Sequence, residues 1–111
     1  MTVNDAIRMA DQQKPNEIDE ALKRRWLYTL EGQIRQELSI IGFISLETMS
    51  ELCVASPCDK LYPAYLVMRI CLENGELDNY NSAAAIFNRL WMAFASVTVQ
   101  RRAQRRADNG K

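Results

Sequence analysis

Apolar positions recur by threes and fours in four stretches of the chain, and each stretch predicts a helix. Val3, Ile7 and either Met9 or Ala10 share one side of a short amphipathic run that ends before Pro15, because the residue ahead of a proline is driven out of the helical region. A second run carries Leu22, Trp26, Leu27, Leu30, Ile34 and Leu38 as a core-facing stripe. Asn16 or Asp19 can cap its start, and Glu17, Asp19 and Glu20 place acid in the opening turn, where the helix dipole favours it. A third run extends from Asp59, the expected cap, to Glu73, with Pro63 tolerated in the first turn. Its apolar set, Leu61, Tyr62, Tyr65, Leu66, Met68, Ile70 and Leu72, covers more than half the circumference and predicts burial on two sides.

Asn74-Gly75 ends the third run, the glycine supplying the left-handed conformation that helix C-termini favour. The fourth run begins near Glu76 with Leu77, Tyr80, Ala84, Phe87, Trp91 and Phe94 at helical spacing, and so short a corner forces an antiparallel hairpin. Val97-Thr98-Val99 lowers helix propensity, so the chain is expected to kink, stop or pass into an extended arm there, the arm beginning at about Gln100. Between Ser39 and Pro57 the helical period fades, and β-branched and aromatic residues around Gly42 fit either a short extended segment or continued helix. The expected fold is therefore all-α: a small antiparallel bundle of about four helices over residues 1–96, followed by a basic arm over 97–111 that either extends the last helix or trails as a tail.

Composition narrows the chemistry more than the fold. A chain of 111 residues and 12.8 kDa with 48% apolar residues makes one globular domain. The densest apolar stretch, Ile40 to Leu46, is far shorter than a membrane span, and the first residues carry an early acid where a secretory signal would be apolar. The expectation is a protein that stays in the cell that makes it, with no membrane partner. Histidine is absent, which removes the Ser-His and Cys-His nucleophile pairs, the imidazole base and the imidazole metal ligand. Cys53, Cys58 and Cys71 are too few for a four-thiolate zinc site and odd in number, so they read as reduced thiols; a Cys53–Cys58 redox pair lacks the two-residue spacing of thiol oxidoreductases. The four glycines are scattered, with no phosphate-cradling loop, and acid pairs such as Glu17 with Glu20 or Glu73 with Glu76 sit at helix ends as caps. The aromatic row Tyr80, Phe87, Trp91 and Phe94 reads as core rather than a base-stacking platform. No catalytic, cofactor or metal residue is assigned, and no enzyme is expected.

Charge is balanced over the whole chain, 14 basic against 14 acidic residues, but not along it. From Arg89 to Lys111 six basic residues face one acid, Asp108, a net of +5 that leaves −5 on the residues before it. Arg101, Arg102, Arg105 and Arg106, spaced i, i+1, i+4 and i+5, fall within one broad face of a helix. Two readings stay open: basic residues that complement a helix C-terminus and keep it soluble, or a docking arm for an acidic partner surface, an acidic patch on a neighbouring copy, or a nucleic-acid backbone. Arginine's dominance over lysine leans toward bidentate contacts with carboxylates or phosphates.

Two stretches carry a resemblance. Arg25-Trp-Leu-Tyr-Thr-Leu-Glu-Gly-Gln-Ile34 is one; Leu52-Cys-Val-Ala-Ser-Pro-Cys-Asp-Lys-Leu-Tyr-Pro-Ala-Tyr-Leu66, leading through Glu73-Asn-Gly-Glu-Leu-Asp-Asn-Tyr-Asn81 to Phe87-Asn88, is the other. Over most of residues 3–95 the chain resembles small helical head–tail connector, or adaptor, proteins of tailed bacteriophages and prophages. The resemblance implies a homo-oligomeric ring beneath the portal, a tail-side neck protein bound below, DNA passing through the lumen without sequence-specific binding, and residence at the head–tail junction of the virion after assembly in the host cytoplasm. It places Asp59-Lys-Leu-Tyr62 at the opening of the third helix and Asn74-Gly-Glu-Leu-Asp-Asn-Tyr-Asn81 at the hairpin corner. The chain departs from the pattern at Cys58, where an aromatic is expected, in a shorter middle segment between Leu38 and Leu52, and in its arginine-rich end. These departures bear on subunit contacts rather than on the helical fold. The competing class is a small helical regulatory or binding module whose basic arm meets nucleic acid or an acidic protein.

Overall fold

The computed structural model describes residues 1–38 and 50–109, with side chains as far as residue 100. Within these residues the chain forms four helices and no strand: α1 (Val3–Gln13), α2 (Glu20–Leu38), α3 (Leu61–Glu73) and α4 (Leu77–Asn109), with a short 3-10 turn at Cys58–Lys60. Thr2 and Asp5 start α1 with a reciprocal capping box, in which the Asp5 amide donates to the Thr2 hydroxyl at 3.0 Å and the Thr2 amide to the Asp5 carboxylate at 3.1 Å. Asp19, rather than Asn16, caps α2, its carboxylate accepting from the Ala21 amide at 3.3 Å. Asn16 shapes the preceding turn instead, donating to the Lys14 carbonyl and accepting from the Ile18 amide.

α3 lies at the centre and packs against each of the other three helices. Leu61, Tyr62, Leu66 and Ile70 are fully buried, in keeping with an apolar set too wide for a single contact, but Leu72, in the last turn of α3, is 40% exposed and lies outside the core. Val3, Ala6, Ile7 and Ala10 of α1 and Trp26, Leu27, Leu30 and Ile34 of α2 complete the core, with Leu22 and Leu38 half-buried at its margin. Asp59 does not cap α3; it lies inside the 3-10 turn, and the helix proper begins after Lys60, which makes no side-chain cap bond.

α4 is one helix of 33 residues that runs unbroken through Val97-Thr98-Val99, so the basic segment extends the last helix and is not an extended tail. Thr98 is buried and its hydroxyl donates to the Phe94 carbonyl at 3.0 Å, so packing and a local bond override the low propensity of the β-branched run. Of the stretch from Ser39 to Pro57, residues 39–49 lie outside the described residues. From residue 50 onward the chain is pinned at its start by an isolated antiparallel bridge between Glu51 and Thr2, with the Val3 amide donating to the Ser50 carbonyl and the Leu52 amide to the Met1 carbonyl. The Ser56–Pro57 peptide is cis.

Candidate functional site

The α3–α4 corner is built by backbone chemistry. Gly75 has φ +73°, the Glu76 amide donates to the Cys71 carbonyl at 2.9 Å and the Gly75 amide to the Leu72 carbonyl at 3.1 Å, the paired bonds of a Schellman cap. Glu76 then ties the corner to α1: its carboxylate accepts from the Lys14 ammonium at 2.7 Å and from the Asn79 amide at 2.9 Å. Lys14 is the main reason the Glu76 carboxyl lies below its ordinary range, and Glu76 in turn raises the Lys14 ammonium. Asn74 and Gly75 form the corner between α3 and α4 and set the direction in which α4 leaves the bundle, while Leu77 to Asn81 of the expected corner already belong to α4.

α4 lies along α3 through an aromatic row. Tyr65 meets Phe87 at 5.3 Å between ring centroids, Phe87 meets Trp91 at 6.1 Å and Trp91 meets Phe94 at 5.6 Å, all tilted. Past Phe94, Val97 and Thr98 close a cavity of about 170 Å³ with Leu38 and the Cys53–Cys58 loop. The arginine positions 101, 102, 105 and 106 follow one turn later on the same continuous helix, beyond the last residues whose side chains are described.

A polar cluster behind this loop was not legible as a cluster. Glu31, 1% exposed, accepts from the Tyr62 hydroxyl at 2.7 Å, the Cys53 amide at 3.0 Å and the Cys53 thiol at 3.1 Å. The Tyr62 hydroxyl accepts in turn from the Val54 amide at 3.0 Å. Burial, reinforced by the Glu31 carboxylate, pushes the Cys53 thiol up to about 11 and raises the Tyr62 phenol as well. A thiol so raised stays protonated near neutral pH and is a poor nucleophile. The cluster acts as a clasp: one carboxylate on α2 and one phenol on α3 supply the hydrogen bonds of residues 53–54, which fixes the loop that faces the base of the arm. The sign in the sequence was Glu31 itself, four residues after Leu27 and three before Ile34, inside the apolar stripe.

Lys23 of α2 is also buried and its ammonium meets Asp11 of α1 at 2.8 Å. Among the described residues no group of three or more acidic or sulfur side chains is placed to hold a metal ion. Leu77–Gln100 of α4 is long and apolar enough to cross a membrane by length and composition, although no dense apolar block marks it, because Asn79, Asn81, Asn88 and Arg89 interrupt the run. No protein-family model, curated protein or solved structure matches the chain.

Proposed function

We propose that this protein is a head–tail connector subunit of a tailed bacteriophage or prophage: a structural, non-catalytic adaptor that assembles as a ring under the portal, links capsid to tail and lets DNA pass through the lumen. The observation that carries the reading is the continuity of α4 from a firmly anchored corner into a basic end, residues 89–111 having a net charge of +5 and residues 1–88 a net charge of −5. A rigid basic helix on an acidic body is suited to heterologous contact, in which one copy's end meets the next copy's body, and contacts of that type close into rings when their rotation allows. The resemblance described above adds the partners: a portal above, a tail-side neck protein below, and the virion's head–tail junction as the place of work. The corner at Asn74-Gly75 and the Glu31 clasp serve this role by fixing the arm's origin.

In this reading Arg101, Arg102, Arg105 and Arg106 dock the subunit on the portal or on a neighbour, with contact to DNA phosphates a secondary use. Reversing two charges, Arg102→Glu with Arg105→Glu, should abolish attachment to a portal ring in co-sedimentation while the far-ultraviolet spectrum stays unchanged. Attachment at wild-type level would refute the assignment. Loss of a steeply salt-dependent DNA affinity, with no portal binding by either protein, would favour the regulatory-module class instead.

A further inference from the structure

A mostly apolar groove opens where α1, α3 and α4 meet. Three pairs of residues, each one helical turn apart, wall it: Met9 and Gln13 of α1, Lys60 just before α3 with Ala64 in its first turn, and Ile86 and Leu90 of α4. In the antiparallel hairpin, positions 64 and 86 stand equally far from Gly75, as do positions 60 and 90. The contact of the Tyr65 and Phe87 rings at 5.3 Å fixes that register. Lys60 and Leu90 therefore bound one end of the groove, and Ala64 and Ile86 the other. Ala64 leaves the space, because its methyl group is the smallest side chain in the wall, and Ile86 level with it stays 52% exposed.

We propose that this groove binds a free medium-chain carboxylate, with its hydrocarbon tail against Ala64 and Ile86 and its carboxylate at the Lys60 ammonium. Charge complementarity selects the head group. Lys60 is the one charged residue in the wall, is exposed, and forms no ion pair among the described residues, whereas Lys14 and Lys23 are both paired. A lysine suits that place, since its stem covers apolar surface while the ammonium stays in water. Volume selects the tail. The groove encloses about 300 Å³, at the lower end of small-molecule sites. At roughly 30 Å³ for a water-sized group, that is room for about ten non-hydrogen atoms, the size of octanoate. The site stands on described residues alone and does not depend on the connector reading.

Titration of the full-length protein with octanoate, followed by methyl proton–carbon NMR, tests the proposal. The Ala64 and Ile86 methyl signals should shift saturably, with a dissociation constant on the order of 1 mM, as fits ten atoms in a half-open site. Each methylene removed between octanoate and hexanoate should weaken binding about twofold, less than the about fourfold of full burial. Lys60→Gln should weaken octanoate about threefold and leave octanol unchanged, the size of effect an exposed ion pair supplies, and octylammonium should bind about tenfold more weakly than octanoate. Ile86→Ser, at an exposed position that leaves the core intact, should weaken octanoate and octanol alike, and Ala64→Leu should fill the groove and abolish both. Absence of a saturable shift up to about 10 mM octanoate would overturn the proposal. So would shifts that spare Ala64 and Ile86, octylammonium binding as tightly as octanoate, or octanoate binding indifferent to Lys60→Gln or Ile86→Ser. Sedimentation with phosphatidylglycerol vesicles that octanoate does not reverse would assign the groove to a membrane surface and likewise overturn it.

Discussion

Replacing Tyr62 with phenylalanine keeps the ring in a fully buried site and deletes one oxygen that serves two partners. The Val54 amide loses its acceptor at 3.0 Å and the Glu31 carboxylate loses its 2.7 Å donor. A buried group stripped of its partner costs about 1–3 kcal/mol, more where the partner is charged, and the loop can relax part of this by admitting water, so we expect Tyr62→Phe to destabilise the fold by about 3 kcal/mol. That is a large share of the roughly 5–15 kcal/mol that holds a domain of this size. At about 4 °C per kcal/mol, the melting temperature should fall by about 12 °C. Thermal and urea unfolding followed by circular dichroism measures the loss, with an unchanged urea slope showing that the same two states are compared. Tyr28→Phe, at a half-exposed ring, is the control and should stay within about 0.5 kcal/mol of wild type. A Tyr62→Phe loss no larger than that control would mean that the clasp does not hold the Cys53–Val54 segment.

Two further outcomes follow from the corner. Gly75→Ala meets no neighbouring atom, so its cost is conformational alone; at φ +73° it should destabilise by about 1–2 kcal/mol in urea titrations, with Gly75→Asn milder. Glu76, whose carboxyl is lowered chiefly by Lys14, contributes stability that is fully present above the ordinary glutamate value of 4.5 and is lost as pH falls through its lower folded value. Lys14, raised by the same pair, contributes fully below its ordinary 10.5 and loses that contribution as pH climbs through its higher folded value. Glu76→Gln should therefore flatten both the acid and the alkaline limbs of a stability–pH profile measured by urea midpoints, and limbs as steep as wild type would contradict the pairing.

What could be read from the chain and what could not divide along the range of the interactions. The stripes of α1 and α2, the Asp19 cap and the Gly75 corner all depend on residues within a few positions of one another, and the pattern displays them. Residues 50–54 are held by partners far away in sequence, Met1 to Val3 on one side and Glu31 and Tyr62 on the other, so no local pattern marks them. Glu31 was hidden because a glutamate in a helix is ordinarily solvated; only its place within the Leu27–Leu30–Ile34 stripe hinted at burial. The β-branched run at Val97 to Val99 predicts a break on intrinsic propensity alone, and the burial of Phe94 and Thr98 with the Thr98–Phe94 bond keeps the helix intact. The arginine face depends on spacing along a helix, and the backbone of α4 is helical as far as Asn109.

The connector reading turns on whether the subunit assembles on a portal. Its most direct test is the native mass of the purified protein by light scattering at low and moderate salt, alone, with a candidate portal ring, and with DNA. A connector subunit should be a small species alone and should form a stoichiometric, high-order complex only when the portal is present. A protein that ignores the portal and shifts in mass only with DNA, losing that shift as salt rises, would contradict it.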